Sequence, residues 1–183
     1  MVKLEQVAWI TILLMAAAQC VGVAAAQSGK ASVSAADLKF VQNAAQGGAA
    51  EVALGHLAMQ RASDENVKKF GERMVTDHSR AGEQLKAIAQ SKGIEVPAGL
   101  SAKDEARAAN LRKLSGAQFD DAHMNLMVKD HEKDVADFEN ASKTSADPQV
   151  RQFAAETLPT LQEHLQQAEK IAPEQSNTRM QDH

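Results

Sequence analysis

The chain has 183 residues, 44% of them apolar and only 3% aromatic, with no Tyr, a single Trp and a formal charge of −4. That is enough chain for one domain with a packed core. Ala and Leu dominate over β-branched and aromatic residues, which argues against an all-β domain, a disulfide scaffold or a collagen-like chain. The acidic balance removes the basic face on which nucleic-acid binding depends.

Residues 1–26 (MVKLEQVAWITILLMAAAQCVGVAAA) place Lys3 ahead of an apolar run that ends in Ala24-Ala25-Ala26. A charged start, an apolar centre and a small-residue exit predict a secretory signal peptide, with an uncleaved anchor as the alternative. Cys20 is the only cysteine; Gln19 before it is larger than lipoprotein processing favours. Cleavage after Ala26 would leave no thiol chemistry, and the charge would not change, because Lys3 and Glu5 leave together. Residues 27–35 (QSGKASVSA) read as a polar tether and residues 36–172 as the folded domain.

The first long helix is predicted from Ala36 to about Ala62, with the apolar-spaced stripe Phe40, Ala44, Gly47, Glu51, Leu54, Ala58 and Ala62. Asp64 is a candidate cap for a second helix reaching Lys92, with Val67, Phe70, Met74, His78, Ala81, Leu85 and Ile88 on its stripe. Gly93 should stop it. Residues 93–101 form a linker, and Ser101 should cap a short helix over Ala102–Leu114, ended by Gly116. The third long helix, Ala117–Ser142, carries Phe119, Met124, Met127, His131, Val135 and Phe138 inward. Asp147-Pro148 opens the fourth, with Val150, Phe153, Thr157, Leu161, His164, Ala168 and Ile171 inward. Pro159 should kink it one turn earlier. Residues 173–183 read as a frayed tail.

Four such helices predict an all-α four-helix bundle with a short extra helix in a long middle connection. That connection could cross the bundle's length, as in ferritin-like folds, or stay at one end. Two echoes suggest a duplicated helical hairpin: Met74–His78 (MVTDH) against Met127–His131 (MVKDH), and Val67–Phe70 against Val150–Phe153.

Each long helix places one polar residue on its core stripe: Glu51, His78, His131 and His164. Carboxylates are rarely buried unless paired or metal-bound. At about 1.5 Å rise per residue, all four lie roughly 18–27 Å from their hairpin turns, near mid-length. A Glu and three His converging from separate helices are a candidate site for one copper or zinc ion, ahead of iron. The competing reading is a hydrogen-bond network without metal. Met74, Met127 and His123 are candidates for a second layer suited to copper, although inward Met is ordinary core. Asp77 and Asp130 should point about 100° away from the stripe, to surface or supporting roles. His56 is off the stripe and His183 is on the tail. The Glu-x-x-His pairs of di-iron bundles are absent: Val75, Val128 and Leu161 stand three residues before His78, His131 and His164.

The segments Phe40–Ala58, Val67–Ala81, Leu114–Glu139 and Thr157–Ala168, with AAEV, MV-x-DH twice, FD and LP-x-L-x-x-HL in that order, resemble the bacterial family called domain of unknown function 4142. The resemblance spans about 37–172 and implies a ferritin-like helical fold and export to the periplasm or envelope. The family's motif positions fall on Glu51, His78, His131 and His164. His123 stands where the family usually has an aromatic residue. Together these readings predict an exported bundle that binds a metal in envelope metal handling or stress protection, without a dedicated substrate to turn over. The alternative is an envelope interaction protein that contacts other proteins or membrane.

Overall fold

The computed structural model describes residues 33–173; the predicted signal peptide and most of the tail lie outside them. Five helices follow in order: α1 (Ala35–Arg61), α2 (Glu65–Lys92), α3 (Ala102–Leu111), α4 (Gly116–Thr144) and α5 (Pro148–Ile171). Their ends are set by local chemistry. Asp64 accepts from Asn66 N at the start of α2, and Asp147 accepts from Gln149 N and Val150 N at the start of α5, where Pro148 lacks the donor that would be orphaned anyway. Ser34 caps α1 and Ser101 caps α3. Gly93, at φ 69°, closes α2 in the left-handed conformation that suits glycine. Gly116, at φ 57°, opens α4 and does not end α3, which stops earlier at Leu111. The α5 helix runs unbroken through Pro159.

α1 packs on α2 and α4 on α5, and the two hairpins meet through α2–α5 and α1–α4. Carboxylates on each hairpin hold the turn of the other. Asp120, near the start of α4, accepts from Ser63 N at 3.0 Å, from Asp64 N at 2.9 Å and from the Ser63 hydroxyl. Asp37, near the start of α1, accepts from Asp147 N at 3.0 Å. Lys92, at the end of α2, reaches Asp147 at 2.6 Å. The end of α2 therefore lies beside the α4–α5 turn, and the start of α4 lies beside the α1–α2 turn. So the middle connection crosses the full length of the bundle, as a ferritin-like fold requires. On its way it lays α3 against α1 and α4.

One register relates the hairpins. Adding 83 to a residue number carries Asp37 to Asp120, Asp64 to Asp147, Val67 to Val150 and Phe70 to Phe153. The Val67–Phe70 echo belongs to this register. The Met74–His78 echo pairs α2 with α4, and no duplication of the hairpin produces that pairing.

The core is two apolar clusters. One gathers Leu54, Leu57, Phe70, Met74, Phe119, Met124 and Met127 toward the α1–α2 turn. The other gathers Val41, Leu85, Phe138, Val150, Phe153 and Leu161 toward the opposite end. Glu51, His78, His131 and His164 fall between them in every helix. Two glycines let α1 and α2 approach beside this level. A Cβ on Gly55 would lie 2.7 Å from Gly71 O, and one on Gly71 would lie 2.7 Å from Gly55 O and 2.9 Å from Ala58 Cβ. Ala is the better helix former by about 1 kcal/mol, yet Gly71→Ala should destabilise by about 1–3 kcal/mol through forced separation of the helices. Gly82→Ala, with nothing within 4 Å of the new carbon, should stabilise by about 0.5–1 kcal/mol. Urea denaturation of the two variants checks the opposite signs.

Candidate metal centre

α1 contributes Glu51, α2 His78, α4 His131 and α5 His164, with side chains 2%, 7%, 0% and 0% exposed. The three imidazole centroids are 5.3–5.7 Å apart. One ring nitrogen from each lies within 4.8 Å of those from the other two. Phe70 closes the cluster on the apolar side, edge-on to His131 and His164.

Two of the rings are oriented by an acceptor on one nitrogen. His131 Nδ1 donates to the Met127 carbonyl, one turn earlier, at 2.9 Å. A carbonyl only accepts, so the proton sits on Nδ1 and Nε2 carries the lone pair. His164 Nε2 donates to Asp77 Oδ2 at 2.9 Å, which leaves Nδ1 bare. His78 Nδ1 lies 2.9 Å from Glu51 Oε2, and His131 Nδ1 lies 3.4 Å from Glu51 Oε1. Neither carboxylate oxygen sits on a ring N–H axis, so charge and proximity hold this contact. Five buried atoms of the cluster have no hydrogen-bond partner: His78 Nε2, His131 Nε2, His164 Nδ1 and both Glu51 oxygens. Buried polar atoms are paired in the large majority of cases, so five in one place mark a site.

The electrostatics follow from the same geometry. Burial alone would raise the Glu51 carboxyl, but His78 and His131 outweigh it and hold it below its ordinary value. Burial would lower His78, and the Glu51 charge beside it raises it instead. Burial pushes His164 down to about 4 against the opposing Asp77 bond, so it is a neutral donor at neutral pH. Burial raises Asp77 less than the His164 bond and Arg73 lower it. Asp134 is half-buried, and the loss of solvation together with the Glu51 charge pushes its carboxyl up to about 7.

All four residues singled out in the sequence meet at one level of the bundle. Asp77 is not turned to solvent but backs His164, a role that only the neighbouring helix reveals. Asp130 pairs with Arg107 at 3.2 Å, as a surface residue would. His56 is exposed. His123 stands two turns from His131 along α4, outside the cluster. It is fully buried, both its nitrogens lack partners, and its ring stacks on Phe119 at 5.5 Å. Met74, Met124 and Met127 pack in the apolar cluster beside it. Asp134 carried no signal in the sequence beyond its place three residues after His131.

Fold and centre together define a four-helix bundle with a buried cluster of three histidines that could hold a metal ion. The chain belongs to the family described as Domain of unknown function (DUF4142), matched over residues 22–171. No curated protein matches it. Among solved structures it is similar to a DUF305 fragment from Deinococcus radiodurans (TM-score 0.67, 20% identity, 76% of this chain and 96% of that chain). It is also similar to CopM in its Cu(II)-bound form (0.62, 18%, 73% and 93%) and its Ag-bound form (0.61, 17%, 73% and 93%). At these identities the likeness is one of fold.

Burial pushes His123 down to about 4. Between that value and 6.5 the unfolded chain binds a proton that the folded chain does not, so stability falls as pH falls through this window. His123→Phe should be more stable than wild type by about 1–3 kcal/mol at pH 7, because an unpaired buried polar group is removed. The gap should widen by roughly 3 kcal/mol on acidification to pH 4. Urea titrations at several pH values measure it; a constant gap would show that His123 takes up its proton in the folded state.

Proposed function

We propose that the protein binds one transition-metal ion through His78, His131 and His164, copper or zinc ahead of iron. The observation that carries this reading is the convergence of three buried histidines, each offering a ring nitrogen within 4.8 Å of the other two, with one nitrogen of each left without a hydrogen-bond partner. Neutral imidazole suits copper and zinc. A ligand histidine ordinarily donates its other N–H to a carboxylate or carbonyl, and His164 and His131 do so to Asp77 and Met127. A sphere at about 2.0–2.1 Å needs nitrogens roughly 3.3–3.5 Å apart, a small rotamer adjustment from the present spacing. Glu51 lies against Nδ1 of His78 and of His131, whose Nε2 atoms have no hydrogen-bond partner. Its part is to supply counter-charge and fix the His78 ring. The ions named for the CopM structures add weight to copper.

The N-terminal segment supports a place outside the cytoplasm, and among the described residues no helix is long and apolar enough to cross a membrane. The role that fits is metal binding and buffering in the envelope. The Glu51–His78 contact is also what a purely structural polar network would show, in an envelope interaction protein.

Purified protein should take up one Cu(II) or Zn(II) per chain by elemental analysis, and His131→Ala should take up none. Glu51→Gln should keep the stoichiometry while losing about 10–100-fold in affinity. Ion at a hundredfold over Kd should stabilise the fold by about 2.7 kcal/mol, reversed by chelator. No uptake and no chelator effect on melting would leave the structural network.

A further inference from the structure

The seam between α1 and α4 is not closed at the level of Glu51. A cleft of about 290 Å³ opens there under α3, with Asp104, Asp130 and Asp134 on its walls and Glu51 among its lining residues. A second, internal space of about 20 Å³ lies deeper and is lined by Glu51, Asp134 and His78. Glu51 and Asp134 border both. The inner space exceeds the roughly 10–15 Å³ that one water needs, so it has room for a cation that has shed its hydration shell. Glu51 is 2% exposed and both its oxygens lack hydrogen-bond partners. This buried carboxylate marks the seam as more than an acidic surface patch. The groove beside it, about 230 Å³ along Phe40 and Phe138, touches neither Glu51 nor a histidine of the cluster.

We propose that the cleft between α1, α3 and α4 is the route by which a cation reaches the three histidines, through Asp130 and Asp134 to Glu51 and then His78. The proposal rests on the metal-binding reading above. Carboxylate oxygens replace the ion's waters stepwise before nitrogen ligands take over. Two of the three cations that line the cleft, Lys133 and Arg107, are engaged in ion pairs, and the third is Lys103. Lys133 pairs with Asp137 at 2.5 Å and lies 3.9 Å from Asp134. Arg107 spans Asp104 at 3.3 Å and Asp130 at 3.2 Å, a latch across the mouth that an arriving ion must displace. Gly47 lines the cleft across from Asp134: a Cβ on it would lie 3.9 Å from Asp134 Oδ2.

Stopped-flow mixing of the full chain with Cu(II), followed by visible absorbance, tests the route, with equilibrium stoichiometry measured in parallel. Asp130→Asn with Asp134→Asn should slow loading about tenfold at low salt while one ion per chain is still bound, because a charged cleft raises the local ion concentration. Arg107→Gln should speed it. Asp121→Asn with Glu169→Gln likewise replaces two carboxylates, at exposed positions away from the cleft, and should leave the rate unchanged. Loading at the wild-type rate in the first pair, with the ion still bound, overturns the route and leaves the metal reading intact. No Cu(II) uptake by wild type overturns both. If the first pair fails to fold by circular dichroism, Arg107→Gln decides: faster loading supports the route and an unchanged rate overturns it.

Discussion

A layer of four ionisable side chains cuts the apolar core of this bundle in two, and the remaining features of the centre follow from its cost. A buried carboxylate is expensive unless charge or hydrogen bonds compensate it. Glu51 has the His78 and His131 rings beside it at 2.9 and 3.4 Å but no aligned donor. His164, with an Asp77 bond on one nitrogen, is kept neutral by burial. The layer is thus compensated on its outer edge and bare at its middle, where three nitrogens face one another. A layer evolved only for packing would gain from filling that middle with leucine, as its neighbours Leu54 and Leu161 do one turn away in each direction. Retaining imidazoles there makes sense if something electrophilic repays the lost burial.

The scaffold around the layer is nearly two-fold, and the layer is where the symmetry breaks. The 83-residue register pairs both turn-capping aspartates and both turn-holding carboxylates, Asp37 and Asp120. It also pairs Glu51 with Asp134, the two acids that line both spaces of the α1–α4 seam. It does not pair the histidines with one another. His131 corresponds to Gly48, His164 to Ala81 and His78 to Leu161. Gly48 lies beside the first hairpin's ring: a Cβ there would sit 3.9 Å from His78 Nδ1, at ordinary contact distance. Three rings occupy a space in which a symmetric arrangement would crowd more of them. His123 belongs to the same logic. Its mate is Phe40, which packs edge-on against Phe138, whereas His123 stacks flat on Phe119. An aromatic position has taken an imidazole, and nothing beside it offers a hydrogen bond.

Much of this is legible in the sequence because helices in a bundle obey a single period. The stripes locate the core faces, and no stripe residue of the four long helices is exposed. Glu51, His78, His131 and His164 stand out because each violates the apolar pattern at the same depth. The caps at Asp64, Ser101 and Asp147 follow from side-chain oxygens placed before helical runs. What periodicity cannot give is which face of one helix meets which face of another. Asp77 reads as outward on α2 alone, and only the approach of α5 turns it into a partner for His164. Asp37 and Asp120 stand off the core stripes, and the neighbouring hairpin's turn makes them buried acceptors. The crossing of the middle connection is likewise a long-range fact. Ser63 and Asp120, 57 residues apart, decide it.

The division of labour between hairpins gives the centre a mechanical consequence. Within each hairpin the helices pack along their length, while the hairpins touch each other less extensively. The histidines are split across that weaker boundary: His78 comes from the first hairpin, His131 and His164 from the second. An ion bound by all three would clasp the hairpins together at mid-length, where the two hydrophobic clusters are interrupted. Binding free energy gained only in the assembled bundle adds to its stability. The clasp would therefore stiffen the one interface that the apolar core leaves unfinished, and loss of the ion would loosen the same α1–α4 seam through which Glu51 meets the cleft.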